Sequence, residues 1–134
     1  MEKTLLIPSS LYESVQQVEK LVNDVYEEYT FSPHIYGNML VALSEAVTNA
    51  VLHGNKSDTQ KQIQIRCVTN EKHVTFEVKD EGNGFDYTQI TDPTMLENLS
   101  KIGGRGVMIM TALSDDVLYE KNGTVVKLKF NLNN

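Results

Sequence analysis

The chain has 134 residues, 40% of them apolar and 22% charged, ordinary proportions for one globular domain with a real core. Its formal net charge of -6 argues against a nucleic-acid-binding surface or an anionic membrane, although backbone amides can still hold a phosphate locally. Cys67 is the only cysteine, which excludes an internal disulfide and a cysteine metal cluster. With no signal peptide, long apolar run, repeat or linker, a single cytoplasmic domain over residues 1–134 is expected.

Thr4-Leu5-Leu6-Ile7 reads as a short strand stopped by Pro8. Ser10-Leu11-Tyr12-Glu13 has the form of a capping box opening a helix to about Tyr29. Leu11, Val15, Val18, Leu21, Val22 and Val25 would form its apolar face. A second helix starts at Ser32, a capping residue, with Pro33 at the first helical position. Gly54-Asn55 suits a left-handed turn at its end. Leu40, Leu43, Val47, Ala50 and Val51 make one stripe on this helix. Beside it Glu45, Asn49 and His53 recur every four residues, either as a solvated edge or as a site bordering a buried face.

Two strands follow a polar turn at Lys56 to Gln60. In the first, Ile63, Ile65 and Cys67 alternate with Gln64 and Arg66, so Cys67 is read as a small core residue and not a nucleophile. In the second, Val74, Phe76 and Val78 alternate with polar residues, and the same parity carries Asp80 onto the core face. A carboxylate there is costly unless it is paired or bound to something. Asp80-Glu81-Gly82-Asn83-Gly84-Phe85 then gives a tight turn where a ligand can approach backbone. It is neither a dinucleotide fingerprint nor a P-loop, and it lacks calcium-loop spacing.

Asp86 to Ile102, with Pro93 and a short helix around Met95 to Leu99, is long for a connection and reads as a functional lid. Gly103-Gly104-Arg105-Gly106 feeds a helix over Val107 to Leu113, either a plain junction or an anion-favouring helix start. Asn122-Gly123 marks a closing hairpin with Tyr119 opposite Val126 and Val117 opposite Leu128. The elements assemble as α+β, a two-layer sandwich of a mostly antiparallel sheet with helices on one face.

Three groups now stand in order: Glu45-x3-Asn49 on a helix, Asp80-x-Gly82-x-Gly84 after a strand, and Gly104-x-Gly106 opening a helix. Together they resemble the N, G1 and G2 boxes of the GHKL ATPases, which include gyrase, histidine kinases and MutL and use the Bergerat ATP-binding fold. The surrounding residues resemble the branch of anti-sigma factor serine/threonine kinases, and the resemblance covers nearly the whole chain. Val107, where that branch often has leucine, is a mild departure.

The resemblance implies ATP and Mg2+ as cofactors. Asp80 would accept a hydrogen bond from the adenine amino group, Asn49 would coordinate Mg2+, and Glu45 would be the general base acting on a serine hydroxyl or water. Gly82, Gly84, Gly104 and Gly106 would let backbone approach the nucleotide. Arg105 would either touch the triphosphate or be a solvated lid residue. His53 is read as structural or as a support behind the residues that touch the ligand. The implied function is an ATP-dependent protein serine/threonine kinase acting as an anti-sigma factor. Its implied partners are a STAS-type anti-anti-sigma substrate and a sigma factor or comparable regulator, and the implied assembly is a homodimer. An ATP-gated module that sequesters its partner without phosphorylating it is the alternative. A histidine kinase catalytic domain fits less well, because no phosphoacceptor helix pair precedes the domain and the lid is short.

Overall fold

The computed structural model describes residues 2–83 and 104–132. The expected lid, its short helix, Gly84 and Gly103 lie outside the described residues.

Five strands form one sheet: β1 (Glu2–Pro8), β2 (Gln62–Thr69), β3 (His73–Lys79), β4 (Asp116–Glu120) and β5 (Val125–Asn131). Their order is β1-β2-β3-β5-β4, and every neighbouring pair is antiparallel. Among the described residues three α-helices join them: α1 (Leu11–Glu28), α2 (Pro33–Asn49) and α3 (Gly104–Leu113). Strand parity puts Ile63, Ile65, Cys67, Val74, Phe76, Val78, Val126, Leu128 and Phe130 on the buried side. The facing helices contribute Val18, Leu21, Val22 and Val25 from α1, Met39, Leu43 and Val47 from α2, and Val107 and Met110 from α3. This is the expected α+β two-layer sandwich. Cys67 is fully buried, and burial pushes its thiol up to about 12, as expected for a core residue.

The outward side of the sheet carries a row of charges, with Leu6, Val68 and Leu118 exposed beside it. Arg66 reaches Glu2 at 2.8 Å and Glu77 at 3.8 Å, and Lys127 reaches Glu77 at 3.9 Å and Glu120 at 3.2 Å. This lattice of alternating charge crosses all the strands while the apolar set lies beneath it.

Several local expectations are corrected. Ser10 makes no side-chain cap bond. Its own N–H donates to the Pro8 carbonyl, so Glu13 has no donor to return to and the capping box does not form. Ser14 Oγ donates to the Ser10 carbonyl in its place. Leu11 and Val15 are exposed, because the buried face of α1 begins at Ser14. β1 is longer than expected and includes Pro8, which an edge strand tolerates. Ser32 and Pro33 open α2 as expected, with Ser32 Oγ accepting from the Ile35 N–H at 3.2 Å.

The end of α2 also differs. Its last turn, Ala50–Gly54, widens to a π-helix, with the Asn55 N–H donating to the Ala50 carbonyl. Asn55 stays right-handed at φ -85°, and the left-handed residues are Lys56 (φ 52°) and Ser57 (φ 57°). From Pro33 to Gly54 the combined helix is 22 residues long, and an 18-residue window of it reaches a mean hydropathy of 1.2, enough by length and composition alone to cross a membrane. The helix's apolar side is used here as the centre of the core.

The closing hairpin keeps the expected register, Tyr119 opposite Val126 and Val117 opposite Leu128. Asn122 and Gly123 both have positive φ (60° and 83°), and the Thr124 N–H donates to the Lys121 carbonyl at 3.2 Å.

Candidate functional site

A cavity of about 250 Å3 opens between α2, α3 and the β3–β5–β4 part of the sheet. It is near the lower bound of ligand pockets, about 300–1,000 Å3. Its α2 wall is Ala46, Asn49, Ala50, His53 and Gly54, the two stripes read from sequence meeting at their border. Val107 and Met110 of α3 close one side. Val78 and Asp80 form the floor, with Tyr119, Gly123, Thr124 and Val126 beside them. Most of this lining is apolar, and the polar atoms sit at two ends.

At the first end is Asp80. Parity brings it to the core side just past β3, and its N–H continues the ladder to the Thr124 carbonyl at 3.0 Å. Desolvation raises the Asp80 pKa, and the Gly82 N–H, which donates to Oδ1 at 2.8 Å, and the Lys61 charge oppose that rise. The carboxylate lies directly against Gly54: a Cβ added at Gly54 would overlap it, and one at Gly82 would overlap the Gly54 carbonyl. Only backbone without side chains allows this approach of helix end, carboxylate and turn.

At the second end is Asn49, with Glu45 beside it. A Cβ on Gly106 would lie 2.8 Å from Glu45 Oε2 and 3.0 Å from Asn49 Nδ2. The start of α3 therefore rests on the α2 polar stripe, and its unpaired N–H groups and positive dipole end come near that carboxylate and amide. Such a helix start suits the anionic part of a ligand.

The structure thus brings together Glu45, Asn49 and Gly106, and separately Asp80, Gly54 and Gly82; Asn49, Gly54 and Asp80 line the cavity, while Glu45, Gly82 and Gly106 are not among its lining residues. Gly104 opens α3, while Arg105 is exposed and does not line the cavity. Gly84 lies outside the described residues. Sequence reasoning missed Met110, Tyr119 and Thr124 as lining residues. The hairpin register contained the signal for Tyr119, since it faces Val126 on the core side. Burial pushes the Tyr119 phenol up to about 12, as expected at an apolar wall. His53, read as structural or supporting, lines the cavity although it is exposed. Among the described residues, no group of three or more His, Cys, Asp or Glu could hold a metal ion.

A family model, the histidine kinase-like ATPase domain, matches residues 8–130. The chain belongs to that family. Similar curated members include the serine-protein kinase RsbW of Bacillus subtilis (strain 168), 34% identical over 95 residues, 66% of this chain and 59% of the relative. The anti-sigma F factor of Clostridium novyi (strain NT) is 35% identical over 94 residues, 66% of this chain and 65% of the relative. RsbW of Listeria monocytogenes serotype 4a (strain HCC23) is 30% identical over 112 residues, 75% of this chain and 69% of the relative. The chain spans less than two thirds of the length of the Bacillus and Clostridium relatives. These relatives support the anti-sigma kinase branch of the GHKL ATPases, and the five-stranded sheet with three helices is consistent with that fold.

The cavity lining combines apolar Val78, Val107, Met110 and Val126 with the Asp80 carboxylate.

Proposed function

We propose that this chain is an ATP-dependent protein serine/threonine kinase that acts as an anti-sigma factor. Its substrate is a serine hydroxyl on a STAS-type anti-anti-sigma protein, and its other partner is a sigma factor or comparable regulator. The observation that carries this reading is that Asn49 and Asp80 line one cavity, with Glu45 and Gly106 grouped beside Asn49. The names of the relatives, serine-protein kinase and anti-sigma F factor, support the choice of branch.

In this reading ATP enters with its adenine between Val78, Met110 and Val126, and its amino group donates to the Asp80 carboxylate. The triphosphate lies at the start of α3, over Gly104 and Gly106. Asn49 would hold Mg2+, which would supply charge neutralisation on the phosphates. Glu45 accepts the proton of the incoming serine hydroxyl. The serine oxygen bonds to the γ-phosphorus as the bond from that phosphorus to the β–γ bridging oxygen breaks, and ADP leaves with that electron pair. As a proton acceptor Glu45 needs only correct placement and a free lone pair. Arg105, exposed beside this end, is assigned an optional contact to the triphosphate.

We further propose a single domain over residues 1–134, a homodimeric assembly and a cytoplasmic location. The acidic net charge and the use of α2 in the core support protein partners in place of nucleic acid or membrane. The alternative is an ATP-gated module that binds its partner without phosphorylating it, and the position of Glu45 beside Asn49 favours the enzyme. The test is a single-turnover transfer from labelled ATP with Mg2+ to candidate STAS proteins. Label on the STAS serine is expected. ATP and partner binding with no transfer to any of them would leave the sequestering module.

A further inference from the structure

Asn55 has no place in the boxes discussed above, yet it is the most completely buried polar residue next to the site, at 0% exposure. Both of its amide N–H donors and its carbonyl oxygen are engaged. Nδ2 donates to the Gln62 carbonyl at 3.1 Å and to Ser9 Oγ at 3.3 Å, and Oδ1 accepts from the Glu81 N–H at 2.7 Å. The orientation of the amide is fixed by chemistry, since a carbonyl and an N–H on opposite sides demand a donor and an acceptor respectively.

The position of this bond matters more than its strength. The peptide that carries the Glu81 N–H joins Asp80 to Glu81. On its other side, the Asp80 N–H is held by the Thr124 carbonyl at 3.0 Å. The backbone of Asp80 is therefore pinned from the sheet by Thr124 and from the end of α2 by Asn55. Gly54, directly before Asn55, leaves the space in which the Asp80 carboxylate lies. The π-helical last turn of α2 supplies the rest of the device. Its Asn55 N–H to Ala50 carbonyl bond, at 2.8 Å, keeps Asn55 right-handed and its side chain turned inward. The left-handed residues needed to leave the helix are deferred to Lys56 and Ser57.

We infer that Asn55 is a positioning residue for nucleotide-base selection: it fixes the Asp80 carboxylate at the inner end of the cavity through the Glu81 N–H. This rests on the reading of Asp80 as the acceptor for the adenine amino group. Asn55 never touches the nucleotide. Its removal frees one side of the Asp80–Glu81 peptide and leaves the carboxylate able to turn away from the base, while the phosphate end at Gly106 is unaffected.

The test uses two nucleotides, ATP and purine riboside triphosphate, which lacks the amino group. Calorimetry on the wild type is expected to show ATP binding tighter by about tenfold or more, the value of one charge-assisted hydrogen bond. Asp80→Asn should reduce that ratio to about one to threefold. Asn55→Ala should do the same, with the affinity for purine riboside triphosphate nearly unchanged. A purely structural role that lowered the folded fraction would weaken both nucleotides equally and leave the ratio intact. Asn55→Ser, which opens a smaller void, gives the same reading if the alanine variant does not fold. A full wild-type ratio in a folded Asn55 variant, with the ratio lost in Asp80→Asn, overturns the inference alone. Equal binding of both nucleotides by the wild type overturns the Asp80 reading and the inference with it.

Discussion

Asp80 sits where a carboxylate is unfavourable in the free protein, and its two pH dependences run in opposite directions. Its pKa is raised mainly by desolvation. A raised carboxyl pKa means that protonation favours the folded state. That stabilisation is complete below the unfolded value, about 3.9, and is lost as pH rises through the folded value. At neutral pH the ionised Asp80 is therefore a net cost, and ligand-free Asp80→Asn should melt no lower than the wild type in a calorimetric scan. ATP affinity should follow the other sign. The carboxylate is the better acceptor, so wild-type affinity should fall as pH drops through the raised Asp80 pKa, earlier than for an ordinary aspartate. The Asp80→Asn protein should bind ATP about 10- to 150-fold more weakly at neutral pH, from roughly 1.5–3 kcal/mol for a charge-assisted bond, and should lack that pH step. Unchanged affinity in the folded variant would remove Asp80 from the base site. Asn49 carries a separate prediction. Asn49→Ala should lose the Mg2+-dependent gain in ATP affinity and keep its fold, because Asn49 is only half-buried on the polar stripe. Coincident Mg2+ titrations of the two proteins at fixed ATP would rule out the metal role.

At the scale of elements, the site depends on how closely α3 rests on α2. Gly106 sets that distance, since a Cβ there would press on Glu45 and Asn49 at 2.8 Å and 3.0 Å. Gly106→Ala should raise the intrinsic preference of α3 for helix by up to about 1 kcal/mol. The predicted result is a melting temperature close to or above that of the wild type, together with ATP binding and phosphoryl transfer each weakened about tenfold or more, as the start of α3 shifts outward. Wild-type transfer rates in Gly106→Ala would show that the close approach is not used. The elements themselves were largely legible in sequence. Strand parity placed Ile63, Cys67, Phe76 and Asp80 correctly, because a period of two leaves one choice of face once the apolar residues are known. The Asn122-Gly123 pair gave the hairpin register for the same local reason. What failed was tertiary in origin. The Ser10–Glu13 box was pre-empted by the Pro8 carbonyl, and the left-handed turn at Gly54-Asn55 was displaced because Asn55 is held inward by Ser9, Gln62 and Glu81. No pattern within α2 encodes those partners.

For the whole molecule, the two groups of residues at the cavity separate binding from chemistry, and Glu45 is the residue that distinguishes them. The helical spacing of Glu45 and Asn49 was readable from sequence, whereas the approach of Gly106, distant in the chain, was visible only in the fold. In the proposed geometry the base is held at Asp80 and the phosphates at the start of α3, so Glu45 contributes little to nucleotide affinity. Glu45→Ala should therefore bind ATP within about threefold of the wild type, because removing a carboxylate near an anionic triphosphate relieves repulsion as it removes contacts. It should also keep partner binding, since the outer faces of α1 and the sheet are untouched. Phosphoryl transfer should fall by about 10²–10⁴, the usual contribution of a general base. Single-turnover transfer at saturating ATP, with a STAS protein that binds the wild type, reads this directly. A variant that binds partner and nucleotide but transfers as fast as the wild type would exclude Glu45 as the base. The Glu45→Gln protein gives a further check, because it preserves side-chain volume and the hydrogen-bonding shape of the site while removing the proton acceptor. Loss of transfer in both variants, with ATP and partner affinities retained in both, assigns Glu45 to the proton and not to the architecture of the cavity.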